Sequence, residues 1–292
     1  MNMVMKIKYT VIYLAAALLA TTSCSKEEGN SDNGQLLLAP ALPHMSKATE
    51  TEFESGDRFG IYAVEYKEDA PLPLQLSGNW ANNSMALYNG TNWSISPVIW
   101  WNNASKLDVI AYYPYNSNPN SVDNYLFTIE EDQRESGFTL SDLMWAKAKG
   151  AERSAGAVAL NFRHKLSRLD IKLIRGDEFE GDIPADAVVR VMGTVSSAIM
   201  DMESGGIEKN PQGKEMTITA HQRGVGEYSA IIVPQKILNQ IPLVEILVNN
   251  VSYLVSSRFI FEEGVRHTLN ITLNSDPNKI LITIGGGIEN WN

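Results

Sequence analysis

The chain has little of the chemistry that catalysis or metal binding requires. It contains one cysteine and four histidines among 292 residues. The histidines, His44, His164, His221 and His267, show none of the close spacings typical of zinc sites. No cysteine follows Cys24, so the rest of the chain has neither a disulfide nor a thiolate nucleophile. A Gly-x-Ser-x-Gly elbow and a phosphate-binding loop are also missing. We therefore expect no enzyme, no cofactor and no metal site.

Basic residues are fewer than acidic ones. Lysine and arginine number 24 and aspartate and glutamate 34, which gives a formal net charge of −10. An acidic chain is repelled by the phosphates of nucleic acids and by anionic lipid headgroups. The charge balance therefore indicates a soluble chain with no nucleic-acid partner.

Long apolar runs are scarce as well, and the longest one is N-terminal. It extends from Val11 to Ala20, about half of the ~20 residues that a membrane-spanning helix needs. Lys6 and Lys8 precede it and the small residues 21–23 follow it, which is typical of a cleaved signal peptide over residues 1–23. The next residue, Cys24, makes this region resemble a bacterial lipobox, and the resemblance implies lipidation of Cys24. The alternative is an ordinary secretory signal with an incidental cysteine.

Residues 24–34 are polar and acidic, so they predict a flexible tether that cannot pack. Lys26-Glu27-Glu28 resembles the export tag of surface lipoproteins in Bacteroidota, which implies a surface-exposed position on the cell outer membrane. The alternative is a plain solvated spacer. Removing residues 1–23 leaves roughly 270 residues with 22 basic and 34 acidic side chains, a net charge of −12 and enough length for two domains.

The remaining sequence is dominated by short runs of β-branched and aromatic residues separated by turn pairs, which predicts an all-β fold of sandwiches or barrels. The predicted strands cover residues 59–64, 107–113, 169–174, 228–233 and 244–248. Few helices are expected, and the short candidates are Ser141–Lys147 and Pro234–Gln240. Small and charged residues at 148–156 predict a domain boundary, with an N-terminal domain over 35–155 and a C-terminal domain over 156–292.

A segment rich in asparagine and tryptophan extends from Asn79 to Asn103 and predicts a hairpin or long loop over the first domain. Exposed aromatic rings can stack on sugars, but clustered tryptophans more often complete a core, and the core interpretation is favoured here. The candidate ligand aromatics are Trp80, Trp93, Trp100 and Trp101.

Several sequence motifs resemble those of the fimbrillin family, the pilin-like lipoproteins of Bacteroidota. Residues 53–63 resemble its "F-x-x-G-D-x-I-G-V-Y" opening, and residues 109–115 its "A-Y-Y-P-Y" strand end. Residues 141–146 resemble "S-D-L-L-x-A", and residues 158–169 resemble "L-x-F-x-H-x-L-S-R-L". Later landmarks match at 232–235 and 268–273. The matches keep the family's order from about residue 50 to residue 273, which makes them more specific together than any one is alone.

This resemblance implies two transthyretin-like β-sandwich domains in tandem, with few short helices, and export as a lipidated precursor. It also implies that a trypsin-like protease removes the first strand and that an extended segment of another fimbrillin subunit fills the groove. The apolar run 35–42 corresponds to the removable strand. Lys47 follows this run at the place where the family commonly carries an arginine, and it is one candidate processing site. No arginine lies between Cys24 and Arg58, so a protease specific for arginine would have to cut at Arg58, the other candidate.

At the other end, residues 279–292 are apolar and β-prone around a run of three glycines. We expect this segment to be a donor strand for a neighbouring subunit, with Ile280, Ile282, Ile284, Ile288 and Trp291 as its apolar contacts. The alternative is that residues 280–284 form the last strand of their own domain.

Together these features predict a pilus structural subunit, or an accessory or tip adhesin, on the cell surface and in the fimbrium. The ligand of such an adhesin would be a host or bacterial surface molecule. The alternative is a permanently membrane-anchored surface lipoprotein that binds glycans or other cell-surface ligands.

Overall fold

Strands make up nearly all regular structure in the computed structural model, which describes residues 34–43, 52–284 and 289–292. The predicted signal peptide, Cys24, Lys47 and Ile288 lie outside the described residues. In chain order the first ten strands are β1 (Leu38–Ala41), β2 (Arg58–Lys67), β3 (Ala70–Pro71), β4 (Ala81–Tyr88), β5 (Trp93–Ser96), β6 (Leu107–Tyr113), β7 (Tyr125–Thr128), β8 (Met144–Ala151), β9 (Val158–Asn161) and β10 (Arg163–His164).

The remaining twelve are β11 (Ser167–Arg175), β12 (Val188–Val195), β13 (Ser197–Met200), β14 (Ile207–Lys209), β15 (Glu215–Thr219), β16 (His221–Gly224), β17 (Glu227–Ile232), β18 (Gln235–Val248), β19 (Val251–Phe261), β20 (Val265–Leu273), β21 (Leu281–Ile284) and β22 (Glu289–Asn290). The helices of the described residues are α1 (Ser136–Ser141) and a 3₁₀ turn at Arg153–Ala155. The all-β prediction with few short helices is confirmed.

The two predicted helices are wrong. Residues 144–147 begin β8, and residues 235–240 begin β18. In β8, Met144 and Ala146 point into a core while Trp145 and Lys147 lie on the opposite, half-buried face. This two-residue period fits a strand, and packing against the sheet outweighs the weak helical preference of a short segment.

The largest sheet has the strand order β10-β8-β6-β2-β4-β5, with β3 paired to β2. All seven residues of its central strand β6 are buried, as expected when both faces of a sheet are covered. Side chains of β2 alternate between the two faces: Phe59, Ile61 and Ala63 enter one core, and Tyr62 and Val64 enter another.

The first core lies on the Phe59 face of this sheet. It is covered by a two-stranded parallel sheet of β1 and β9 and by the loop that carries Ile99 and Trp101. Leu36, Leu160 and Phe162 also belong to it. The strand that follows the predicted domain boundary at 155/156 therefore contributes to the same core as β2.

The second core joins the Tyr62 face of the large sheet to the C-terminal half. There, the sheet β16-β17-β11-β20-β21, with β22 on β20, faces the sheet β15-β12-β18-β19. Ile171 of β11 and Val244 of β18 contribute to the same buried cluster. Two sheets that share a core in this way form a β-sandwich.

A hairpin from the C-terminal half links the two halves. β13 pairs antiparallel with β14 and also with β7, in the three-stranded order β14-β13-β7. Trp145 of β8 donates its indole N–H to the carbonyl of Met202, with Nε1 2.7 Å from the oxygen. The Trp145 ring lies over Gly205, where a β-carbon would come within 2.6 Å of it. The hairpin therefore fits only with glycine at this point.

Candidate functional site

The first described segment is an extended strand whose main chain pairs on one edge at residues 34–36 and on the other edge at residues 37–41. On one side, the N–H of Leu36 donates to the Ile99 carbonyl at 2.8 Å, and the N–H of Trp101 donates to the Gly34 carbonyl at 2.9 Å. On the other side, β1 runs parallel to β9 with Leu38 opposite Val158. Residues 34–42 therefore fill a slot between residues 99–101 and β9.

Side chains of this segment alternate as a strand predicts. Leu36 is 2% exposed, and Leu38 and Leu42 pack against the first core, whereas Leu37 is 42% exposed. The segment therefore covers the first core and supplies part of its apolar wall. Without it, Ile99 and Trp101 would lose their backbone partners and their apolar cover.

The structure describes one of the two candidate processing sites. Lys47 lies outside the described residues. Arg58 is the first residue of β2, opposite Leu87 of β4, and its carbonyl accepts the N–H of Tyr115 at 3.0 Å. A protease needs a substrate backbone free of such pairing, so cleavage after Arg58 would require β2 to leave the centre of the large sheet.

Two of the four candidate ligand tryptophans are structural. Trp101 is 2% exposed and belongs to the first core, so it cannot serve as a stacking platform. Trp93 packs against Phe59 and Phe53, with ring centroids 4.6 Å and 5.0 Å away. Phe53 also contacts Phe162 edge-on, at 5.6 Å. This aromatic cluster closes the first core near the end of β1.

The other two tryptophans form an exposed groove, here called the tryptophan groove. Trp100 is 43% exposed, and Trp80 donates its indole N–H to the Trp100 carbonyl at 2.8 Å. The groove encloses about 480 Å³ and is lined by these two rings and by Asn79, Asn82 and Asn102, among others. The arrangement suits a ligand that presents an apolar face beside polar groups.

The C-terminal segment lies against its own domain. β21 pairs antiparallel with β20, with Leu269 opposite Ile284, and is an edge strand of its sheet. Leu281 and Ile282 are 64% and 40% exposed, while Ile280 packs partly against the second core. Such an edge, with unpaired main chain and apolar side chains, can pair with another chain.

The chain terminus is fixed by a buried aromatic contact. Trp291 is 2% exposed and stacks on the ring of His164, with centroids 3.8 Å apart and planes at 5°. The His164 N–H donates to the side-chain oxygen of Asn292 at 2.7 Å, and its Nδ1 is 2.8 Å from a carboxylate oxygen of Asp142. His164 is thus a packed and hydrogen-bonded strand residue.

Beside His164 lies a cavity of about 230 Å³. Its lining includes Asp57 and Tyr113, whose hydroxyl donates to the Asp57 carboxylate at 3.0 Å. Burial and then the negative charge of Asp57 raise the pKa of Tyr113. Within residues 34–43, 52–284 and 289–292, no cluster of three His, Asp or Glu side chains is arranged to hold a metal ion.

A charged cluster lies on the outer face of the C-terminal sheet. Asp170 accepts hydrogen bonds from the Nε atoms of Arg168 and Arg266, at 2.8 Å and 2.6 Å, and from Ser229 at 2.6 Å. Burial raises the pKa of Asp170, but Arg168 and the hydrogen bonds more than offset this, so the pKa lies below its ordinary value. Arg168 is completely buried, with its guanidinium 5.8 Å from the Trp291 ring centre. Through Arg168, the cluster lies against the ring of Trp291.

The sequence predicts Trp291 as an apolar contact of a donated strand, whereas the structure buries it against His164 of its own chain. Neither this contact nor the pairing of β7 with β13 was predicted. Both contacts join residues more than 60 positions apart, and no local pattern in the sequence encodes them. A helix that could span a membrane is not found among the described residues.

The chain matches the model of the fimbrillin-like family over residues 46–291. A Bacteroides ovatus protein described as a fimbrium tip subunit, Fim1C, is 28% identical over 192 residues, or 56% of this chain. The match spans only 34% of that relative's length. A Bacteroides uniformis protein described as a fimbrium subunit, Fim1C, is 25% identical over 235 residues, which cover 76% of this chain and 74% of the relative.

Solved structures show the same fold. A cell adhesion protein from Bacteroides uniformis aligns with a TM-score of 0.68 at 22% identity, over 89% of this chain and 98% of that one. A second, from Bacteroides ovatus, aligns with a TM-score of 0.65 at 19% identity, over 88% and 98% of the two chains. The resemblance seen in the sequence motifs is confirmed, and the chain belongs to the fimbrillin-like family.

Proposed function

We propose that this chain is a structural or tip subunit of a fimbrium and that it assembles by exchange of its first strand. One observation carries the proposal: residues 34–36 pair with residues 99–101, residues 37–41 pair with β9, and alternate side chains of the segment cover the first core. Their removal would leave a slot with free main-chain groups on both walls and an apolar floor. An extended segment of another subunit can fill such a slot by β-augmentation.

Any segment that restores the same contacts in the slot is stabilised by them. A fully buried leucine contributes roughly 1.5–3 kcal/mol relative to an exposed one, so Leu36 gives the slot a substantial apolar anchor. Backbone N–H and C=O groups buried without partners are costly, which favours an occupant that also pairs with residues 99–101 and β9. The role inferred for the chain is therefore structural and not catalytic.

The donor in this proposal is the C-terminal segment 279–292. Its strand β21 lies at a sheet edge with Leu281 and Ile282 exposed. Donation would require β21 to leave β20 and Trp291 to leave its place against His164. The segment is thus held in its own domain before assembly, and its release belongs to the assembly step.

Export and anchoring of the chain precede assembly in this proposal. The chain is lipidated at Cys24 and carried to the outer face of the outer membrane, where it remains anchored until a protease cuts at Lys47. Cleavage at Lys47 separates the anchor and β1 from all strands of the large sheet. Cleavage at Arg58 is disfavoured because Arg58 of β2 is paired with Leu87 of β4.

A second candidate function is a permanently anchored surface lipoprotein that binds glycans or other surface ligands. One observation favours it: no arginine lies between Cys24 and Arg58, and the main chain at Arg58 is paired. A protease specific for arginine would leave the anchor in place.

Limited trypsin treatment of the lipid-free protein, residues 25–292, tests the proposal. We expect a new N-terminus at Ala48 by mass spectrometry, followed by ladders that resist SDS. The matched control Lys47→Gln should show no new N-terminus at Ala48 and should remain monomeric. A wild-type protein that is cut after Lys47 and yet stays monomeric at high concentration would overturn strand exchange.

A further inference from the structure

The tryptophan groove shares a wall with the slot of the first strand. Gln35 forms an antiparallel bridge with Trp100, and the residues on either side, Ile99 and Trp101, hydrogen-bond to Leu36 and Gly34. The segment that presents Trp100 to solvent on one side therefore holds the first strand on the other.

The groove has an amide-rich lining without basic side chains. Asn79 and Asn82 are fixed by mutual hydrogen bonds: Asn79 Nδ2 donates to Asn82 Oδ1 at 2.8 Å and to the Gln75 carbonyl at 2.6 Å, which uses both of its N–H groups. Asn102 also lines the groove. A side-chain amide offers both a donor and an acceptor, which matches neighbouring sugar hydroxyls. The ionisable group in the lining is Glu65, and the lining contains no lysine or arginine.

The two indoles have different roles in this groove. Trp80 is half-buried and holds the Trp100 carbonyl through its N–H, which fixes the wall. Trp100 is 43% exposed and offers an aromatic surface to a ligand. The volume of about 480 Å³ lies within the roughly 300–1,000 Å³ of typical ligand sites.

From these observations we infer that the tryptophan groove binds a neutral saccharide and that the strand lying beside residues 99–101 sets its affinity. Trp100 stacks on the apolar face of a sugar ring, and the side-chain amides of Asn82 and Asn102 bind its hydroxyls. The second part of this inference rests on the proposed strand exchange, whereas the first does not. Loss of residues 34–36 removes the pairing of the wall and weakens binding, and a strand in their place restores it.

The first test is a printed array of neutral, sialylated and sulfated glycans, followed by calorimetry with the strongest neutral ligand and uncleaved protein. Trp100→Ala should weaken binding at least tenfold with the melting temperature preserved, and Trp100→Phe should keep part of it. The control Leu126→Ala, at a residue 46% exposed outside the groove, should bind as wild type. Binding to no neutral glycan, a preference for anionic glycans, or binding unaffected by Trp100→Ala overturns the saccharide site.

The second test repeats the titration after trypsin cleavage, with removal of residues 25–47 verified by mass spectrometry. We expect affinity to fall at least tenfold and to recover when a peptide of residues 34–43 is added. Unchanged affinity in the cleaved monomer overturns the coupling. If trypsin does not release the segment, the strand-exchange proposal fails, while the result with uncleaved protein still decides the saccharide site.

Discussion

Trp291, the penultimate residue, stacks face to face on His164, and their ring centroids are 3.8 Å apart. His164 lies in β10 at the edge of the large sheet, whereas the terminal residues follow a strand of the C-terminal sandwich. The chain end therefore joins the two halves of the fold. Any donation of the C-terminal segment must first break this contact.

Replacing Trp291 tests the energetic weight of this contact. Trp291→Ala removes a nearly fully buried ring, so we expect a loss of about 3–5 kcal/mol in the free energy of unfolding. Leu281→Ala is a control in the same segment, because Leu281 is 64% exposed, and it should change stability by no more than about 0.5 kcal/mol. Urea denaturation measures both. Equal stabilities of the two variants would show that the terminus is not fixed as described.

A matched pair of leucines tests the cover of the first core. Leu36→Ala should cost about 2–5 kcal/mol, because Leu36 is 2% exposed in that core. Leu37→Ala, one residue on and 42% exposed, should cost no more than about 0.5 kcal/mol. Thermal unfolding of both variants measures the difference. A similar cost at both positions would contradict the alternation of the first strand.

Gly205 tests the fit of the linking hairpin. Gly205→Ala places a β-carbon 2.6 Å from the Trp145 ring and forces alanine to φ +73°, which alone costs roughly 1–2 kcal/mol. Gly181→Ala is the control for backbone strain alone, since Gly181 has φ +78° and nothing within 4 Å of an added β-carbon. Chemical denaturation should show the larger loss at Gly205. Equal losses would mean that Trp145 yields without cost.

His267 makes the C-terminal sandwich sensitive to acid. Its ring is buried against Phe259 and Phe261, and its Nε2 has no hydrogen-bond partner among the described residues. Burial lowers the pKa of His267 below 6.5, and Glu262 opposes this shift only in part. The unfolded chain therefore binds a proton near its ordinary pKa before the folded chain does, so stability falls as pH drops below about 6.5.

The variant His267→Leu removes this proton. Denaturation at pH 7.5, 6.0 and 5.0 should show the variant gaining stability relative to wild type as pH falls, because other acid-sensitive groups are common to both proteins. A constant difference across these pH values would show that His267 does not carry the effect.

The sequence predicted those parts of the fold that have a local pattern. Residues 107–113 are apolar except for Asp108 and form the buried strand β6, and residues 169–174 alternate and lie in β11. The helix predicted for residues 141–147 is wrong because this short apolar run shows no clear helical or strand period in the sequence. Its strand forms by pairing within the large sheet. The role of Trp101 was open for a similar reason: its burial depends on Leu36 and Phe162, which are distant in the chain.

For the site, the sequence singled out residues 35–42 and 279–292 but not the residues that surround them in the fold. The apolar run 35–42 corresponds to the family's first strand, yet its neighbours at 99–101 and 158–161 follow only from the tertiary fold. The shared wall between Trp100 and Gln35 is likewise a long-range contact. The domain ranges 35–155 and 156–292 stay a prediction, with β9 packed in the first core.

A reversible lock on the first strand tests strand exchange most directly. Ala39 and Ala159 are register partners in β1 and β9 and both side chains are exposed, and neighbouring strands lie within the Cα separation that a disulfide spans, so Ala39→Cys and Ala159→Cys can join the two strands. The lock is made in the lipid-free protein, cleavage after Lys47 is verified by mass, and assembly is followed by SDS-resistant ladders, with Ala39→Cys alone as the control. The account predicts monomers while the disulfide is intact and wild-type ladders once it is reduced. Ladders of equal extent from the oxidised protein would show that the first strand need not leave its slot, which would contradict strand exchange.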